Sequence, residues 1–245
     1  MQPQLKPIPI SERDAHRSEH WPDGVHDSAT RDPNASKVLR STYLLLALTM
    51  VPTTIGALAG MATSGIVKAS PIAASLVMLA VVVGLQFAIA ANRNSGLGVA
   101  LLLLMTGVLG WWLGPILNVV LSTTQGGALV AYAAVGTGAL FFAMSVLAQT
   151  IKRDLSFMGK FLFVGMIALL AAMVANMFLQ IPALALTIST LVIVVFSMFL
   201  LYDLQRIMRG GETNYMMATT GVYLSLFNIF ASLLQLLGVL GGDRE

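Results

Sequence analysis

Apolar residues run almost unbroken through seven stretches of the chain, at about 38–63, 70–92, 97–121, 126–149, 159–180, 182–205 and 215–240. Each is close to the roughly 20 residues that a helix needs to cross a hydrocarbon core. The pattern therefore predicts an all-α integral membrane fold of seven transmembrane helices. The fifth and sixth runs are parted only by Gln180, Ile181 and Pro182, which predicts a tight turn there.

Composition agrees with this pattern. Hydrophobic residues make up 57% of the chain and charged residues 10%, against about a quarter charged in soluble domains. The mean hydropathy is +0.82. There is no cysteine, which excludes disulfides, a thiol nucleophile and cysteine-bound metal.

Charge sets the expected orientation, because Lys and Arg in short loops stay cytoplasmic. With the N-terminus inside, the tail and the loops after the second, fourth and sixth spans hold twelve of the 14 basic residues, leaving Lys68 and Arg244 outside. The expected topology is N-in/C-out.

Residues 1–37 are rich in Pro and in charges of both signs and have no apolar period. They read as a flexible cytoplasmic arm, ahead of a bundle over residues 38–242. The arm lacks the apolar core of a signal peptide. His16 and His20 have helix-like i,i+4 spacing, with Glu19, Asp23 and His26 nearby. Such a group could hold a metal, but a solvated tail is the reading taken here, and neither a metal nor a cofactor is expected.

Polar residues inside the spans carry the chemical signal, because they are costly in hydrocarbon. In the seventh span Gly221, Ser225, Asn228, Ser232, Gln235 and Gly238 recur at steps of three and four, one face of a helix. Such a stripe faces other helices or water rather than lipid, so the last helix is expected to be central. Two readings stand side by side. Ser225, Asn228, Ser232 and Gln235 are interhelical hydrogen-bonding groups, each bond contributing about 0.6 kcal/mol, or they line a proton or cation path.

The pairs Gly56/Gly60, Gly110/Gly114 and Gly238/Gly242 fit close helix packing. Pro52 and Gly114-Pro115 predict kinks or an early helix end. Trp111, Trp112 and Asn118 suggest an interfacial level. Asp203, at the inner end of the sixth span, is the only acidic residue between Asp154 and Glu212, and Arg206 follows one turn later. It forms either an interfacial i,i+3 pair with Arg206 or a carboxylate turned towards the seventh span.

The segments RSTYLLLALT in the first span, KRDLSFMGKFL before the fifth, LLYDLQRI ending the sixth and YLSLFNIFASLLQLLG in the seventh resemble the Bax inhibitor family, in its bacterial YccA-like branch. The resemblance extends over about residues 37–242. It implies seven helices with the last surrounded by six others, and a paired-carboxylate site between spans six and seven that gates a pH-sensitive calcium leak. In the bacterial branch it also implies an inner-membrane location and restraint of a membrane-anchored AAA protease. Asp203 matches the first carboxylate of that pair. The second is replaced by Ser225, with Asn228 retained, so the shared proton of a carboxylate pair is lost and a calcium site is poorer by one anionic ligand. Arg93 lies near a basic residue of relatives, and with Arg206 is a candidate to stabilise the gate.

Three classes of function follow: a regulator of a membrane protease, a calcium or proton leak, and an intramembrane enzyme. The spans contain no HExxH, GxSxG or Gly-rich phosphate loop, and no paired intramembrane aspartates. The expectation is a non-enzymatic regulator with membrane lipid and a protease as partners and no nucleic acid.

Overall fold

The computed structural model describes residues 33–151, 153 and 155–242. The His16, Glu19, His20, Asp23 and His26 group and all of the expected arm up to residue 32 lie outside the described residues. Eight helices are described: α1 (Pro33–Ala62), α2 (Ser64–Ala69), α3 (Pro71–Ala91), α4 (Gly96–Leu121), α5 (Gly126–Thr150), α6 (Ser156–Leu179), α7 (Pro182–Met208) and α8 (Tyr215–Gly242). All except α2 contain a segment long and apolar enough to span a membrane. The seven segments match the seven apolar runs to within a few residues.

Local chemistry explains the ends. Pro71 and Pro182 open α3 and α7, where a missing N–H leaves no bond unmade. Ile181, before Pro182, is extended, and Gln180 closes α6 in a left-handed conformation (φ 54°, ψ 38°). The Asn176 side-chain oxygen accepts from the Ile181 N–H at 3.2 Å, which seals the turn. Pro52 and Pro115 lie inside helices that continue past them, so neither ends its span.

The last helix is central. Its principal neighbours are α7, α5, α1 and α4, while α3 packs mainly on α4 and α6 on α7 at the periphery. Four close neighbours thus stand in place of the six expected to surround it. Leu102, Met105, Leu200, Leu204, Val222 and Ile229 meet in a core from which solvent is fully excluded. Phe157 and Phe161 on α6 are 73% and 72% exposed, as befits side chains that face hydrocarbon.

The pairing of α1 with α4 is the most extensive in the bundle. Gly56 lies against the backbone of Gly107 and Trp111, Gly110 against Thr53, and Gly114 against Gly60 and Met61, each too close for a Cβ. The small-residue pairs on both helices are thus one interface. At its far end the Trp111 indole N–H donates to Thr63 Oγ1 (2.8 Å), and Asn118 Nδ2 donates to the Met61 carbonyl (2.7 Å) and to Ser64 Oγ (3.0 Å). Trp111 and Asn118 therefore pin the break between α1 and α2.

Candidate functional site

Asp203 sits near the end of α7, which runs on as helix to Met208, beyond Arg206. It is half-buried, and its carboxylate faces the backbone of α8 at Gly221: a Cβ there would lie 2.7 Å from Asp203 Oδ2. The glycine creates the space that the carboxylate enters. Around it is a cavity of about 210 Å³ lined by Asp203, Arg206 and Glu212, by Gln86 of α3, and by Thr220, Gly221 and Leu224 of α8.

The loop from α7 to α8 builds the charged rim. Gly210, at φ 73°, occupies the left-handed position that glycine takes without strain. The Gly211 N–H then donates to the Arg206 carbonyl (2.9 Å) and the Gly210 N–H to the Ile207 carbonyl (3.2 Å), a Schellman closure of α7. This closure folds Glu212 back over the last turn. Its Oε2 pairs with Arg206 Nη2 at 3.0 Å, the one ion pair among the described residues. Its Oε1 accepts from the Asn214 N–H (3.0 Å).

Asn214 in turn caps α8 by accepting from the N–H groups of Met216 and Met217 at 3.0 and 3.1 Å. Its Nδ2 donates to the Arg93 carbonyl and to Asn94 Oδ1, which ties the loop to the α3–α4 connection. The i,i+3 ion pair of Asp203 with Arg206 is therefore not formed. The sequence neighbour one turn away loses to a loop residue that the closure places against the guanidinium.

Gln205 points the other way from Asp203. Its Oε1 accepts from the Leu155 N–H (3.1 Å), and its Nε2 donates to the carbonyls of Ile151 (3.1 Å) and Arg153 (3.0 Å). Arg209 Nη2 donates to Ile151 as well (2.9 Å). One turn of α7 thus presents a carboxylate to a cavity and an amide that fastens the α5–α6 loop.

Of the other candidate residues, only Arg206 joins Asp203 at the cavity. Ser225, Asn228, Ser232 and Gln235 lie further along α8, outside the lining. Ser225 and Ser232 are buried. Asn228 Nδ2 donates to the Leu224 carbonyl of its own helix (2.8 Å), and Gln235 Oε1 accepts from Ser189 Oγ of α7 (3.0 Å). Gly238, the last member of the stripe, packs on Val120 of α4. Arg93 is exposed and does not line the cavity, and its part in the hydrogen bonding above is played by its carbonyl. Sequence reasoning missed Glu212, Gln86, Gln205 and Asn214. The run GGETN after α7 held the signal for two of them, a left-handed cap followed by an Asn N-cap.

Comparison with known proteins adds an independent line. The family model described as "Inhibitor of apoptosis-promoting Bax1" matches residues 35–242. A protein of Escherichia coli K12 named "Modulator of FtsH protease YccA" is 42% identical over 207 residues, covering 84% of this chain and 92% of the relative. The same identity and coverage hold for a protein of a second Escherichia coli strain named "Inner membrane protein YccA". An uncharacterized membrane protein of Vibrio cholerae is 39% identical over 216 residues, covering 88% of this chain and 95% of the relative.

Proposed function

Because the chain belongs to the Bax inhibitor family, we propose that it is a non-enzymatic, multi-pass protein of a bacterial inner membrane that modulates a membrane-anchored AAA protease of the FtsH type. The observation that carries this reading is the 42% identity, over 92% of its length, to the relative named as a modulator of that protease. The polar groups of α8 support it, since Gln235 bonds to α7 and Gly221 and Gly238 seat neighbouring helices, as a stable scaffold needs. The orientation that goes with it is N-in/C-out, which puts the pinned α5–α6 and α7–α8 loops on the cytoplasmic side. Solubilising native membranes with the tagged chain aboard should recover protease subunits, and deleting residues 2–30, ahead of α1, should alter the chain's turnover by that protease. Absence of protease subunits together with unchanged turnover overturns the reading.

A second reading, a calcium or proton leak, rests on one observation: Asp203 and Glu212 line the same cavity, so two carboxylates meet there although Ser225 replaces the expected second one. Glu212 is the partner in this version. In proteoliposomes Asp203→Asn should abolish the leak while Ser225→Asp leaves it unchanged. A leak that survives Asp203→Asn removes the carboxylate from the path.

A further inference from the structure

A larger cavity, of about 530 Å³, opens between the first turns of α1, the last turns of α5 and the end of α7. It shares no lining residue with the Asp203 cavity, and its volume is within the roughly 300–1,000 Å³ of small-molecule sites. Its depth in the bundle is set by the spans that form it. Ser36 begins the first span, Gln149 is next to the end of the fourth, and Met208 ends the sixth. The cavity therefore sits level with lipid headgroups, not with the middle of the hydrocarbon.

The wall is divided by chemistry. Ser36 and Arg40, one turn apart on α1, and Ser145 and Gln149, one turn apart on α5, supply its polar part, while Leu39, Leu44 and Met208 supply the apolar part. Tyr43 stands between the two. Its ring meets Phe141 edge-on at 6.0 Å, and the Ser145 hydroxyl beside it donates to the Phe141 carbonyl (2.8 Å). No carboxylate lines the cavity, and among the described residues Arg40 has no ion-pair partner. Leu44 is 64% exposed, so the apolar side is open to the surrounding lipid.

A guanidinium with no ion-pair partner among the described residues calls for an oxyanion, and Arg suits phosphate by its forked geometry; Gln149, whose Nε2 spends one N–H on the Ser145 carbonyl (3.2 Å), keeps a second N–H for it. The apolar flank calls for a chain attached to that oxyanion. Basic pockets between spans at the headgroup level bind anionic lipid headgroups by this combination. We infer that this cavity is a binding site for an anionic phospholipid, with Arg40 and Gln149 on the phosphodiester and an acyl chain leaving over Tyr43 and Leu44. Lys37, exposed on the same turn of α1 between Ser36 and Leu39 but outside the lining, adds positive potential without entering the site.

The test uses the full chain purified in a non-ionic detergent and a fluorescently tagged phosphatidylglycerol, competed by untagged phosphatidylglycerol, phosphatidylcholine or inorganic phosphate. Phosphatidylglycerol should compete best, phosphatidylcholine weakly, and inorganic phosphate not at all. Arg40→Gln should weaken binding about tenfold or more, the loss of one charge-assisted contact. Lys37→Gln, which removes the same charge outside the cavity, should have the smaller effect. Leu39→Trp fills the cavity while leaving both charges in place, and should also weaken binding. Equal competition by phosphatidylcholine, or equal effects of Arg40→Gln and Lys37→Gln, overturns the proposal. Competition by inorganic phosphate as strong as by the lipid also overturns it, in favour of a free-phosphate site. Binding unchanged by Leu39→Trp places the lipid elsewhere.

Discussion

Helices α1 and α4 are held together by what they lack, and α7 and α8 by what they carry. In the first pair, Gly56, Gly60, Gly110 and Gly114 bring two backbones into contact with no side chain between them. In the second, Asp203 fills the space over Gly221, Ser189 bonds Gln235, and a capped loop joins the helix ends. Both solve the same problem. Hydrocarbon gives two apolar helices no hydrophobic reason to associate, so association must come from close packing or from polar contacts. The packed solution has no slack, because each approach is already shorter than a Cβ allows. The polar solution has redundancy, since Glu212 and Asn214 each make more than one bond.

This contrast predicts that the largest losses come from the smallest side chains. Gly110→Leu drives a side chain into the Thr53 backbone and should cost at least about 3 kcal/mol, at or beyond the usual upper end for overpacking. Most of the protein should then fail to reach the folded, detergent-stable form, as read by thermal melting of the purified chain. Gly84→Ala and Gly165→Ala meet nothing within 4 Å and should leave the melting point essentially unchanged. Helix propensity favours all three substitutions, so equal losses at all three positions would mean that the close α1–α4 approach does not set the cost.

A step smaller is Gln205→Leu, which keeps the bulk of the side chain and removes its polar end. The Leu155 N–H and the carbonyl of Arg153 lose their partner, and Ile151 keeps only Arg209. Buried groups left unsatisfied cost about 1–3 kcal/mol. The loss should be local first, with faster hydrogen exchange at Leu155 and earlier cleavage of residues 151–155 by added protease. Exchange at Leu155 that matches wild type would show the loop to be held by its other contacts.

The difference between the pairs also explains what could be read in advance. Seven apolar runs, the turn at Gln180–Pro182 and the glycine spacing all lie within single segments, where length, proline and a period of three or four speak directly. The glycine pairs announce close helix contact but not its partner, and that Gly56 and Gly60 of α1 meet Gly110 and Gly114 of α4 is seen only in the packed bundle. The partner of Asp203 did not follow, because it depends on how far α7 and α8 are slid along each other. Gly221 and Ser225 lie on the same face of α8, one turn or roughly 5–6 Å apart, and the α8 sequence suits either register. The choice is made by the closing loop, whose left-handed Gly210 and Asn214 cap fix where α8 begins. Once that is set, Asp203 meets Gly221, and Glu212 borders the same cavity.

The smallest predicted effect tests this last point. Arg206 and Glu212 form an ion pair in which Arg206 keeps 45% of its side chain exposed and Glu212 15%. A pair of that exposure contributes about 0–1 kcal/mol and weakens with salt. Glu212→Gln retains an oxygen for the Asn214 N–H and the shape of the loop, so it removes charge and little else. The coupling between Glu212→Gln and Arg206→Gln in a double-mutant cycle should thus be below about 1 kcal/mol, and smaller still in 1 M salt. Adding Asp203→Asn sharpens the result. Both carboxylates border one cavity, so removing the Glu212 charge should change the effect of Asp203→Asn, whereas two sites that do not share a cavity contribute additively. Strict additivity between positions 203 and 212 would return Asp203 to the role of an isolated boundary charge and leave the α7–α8 contact, like the glycine seam, a matter of shape alone.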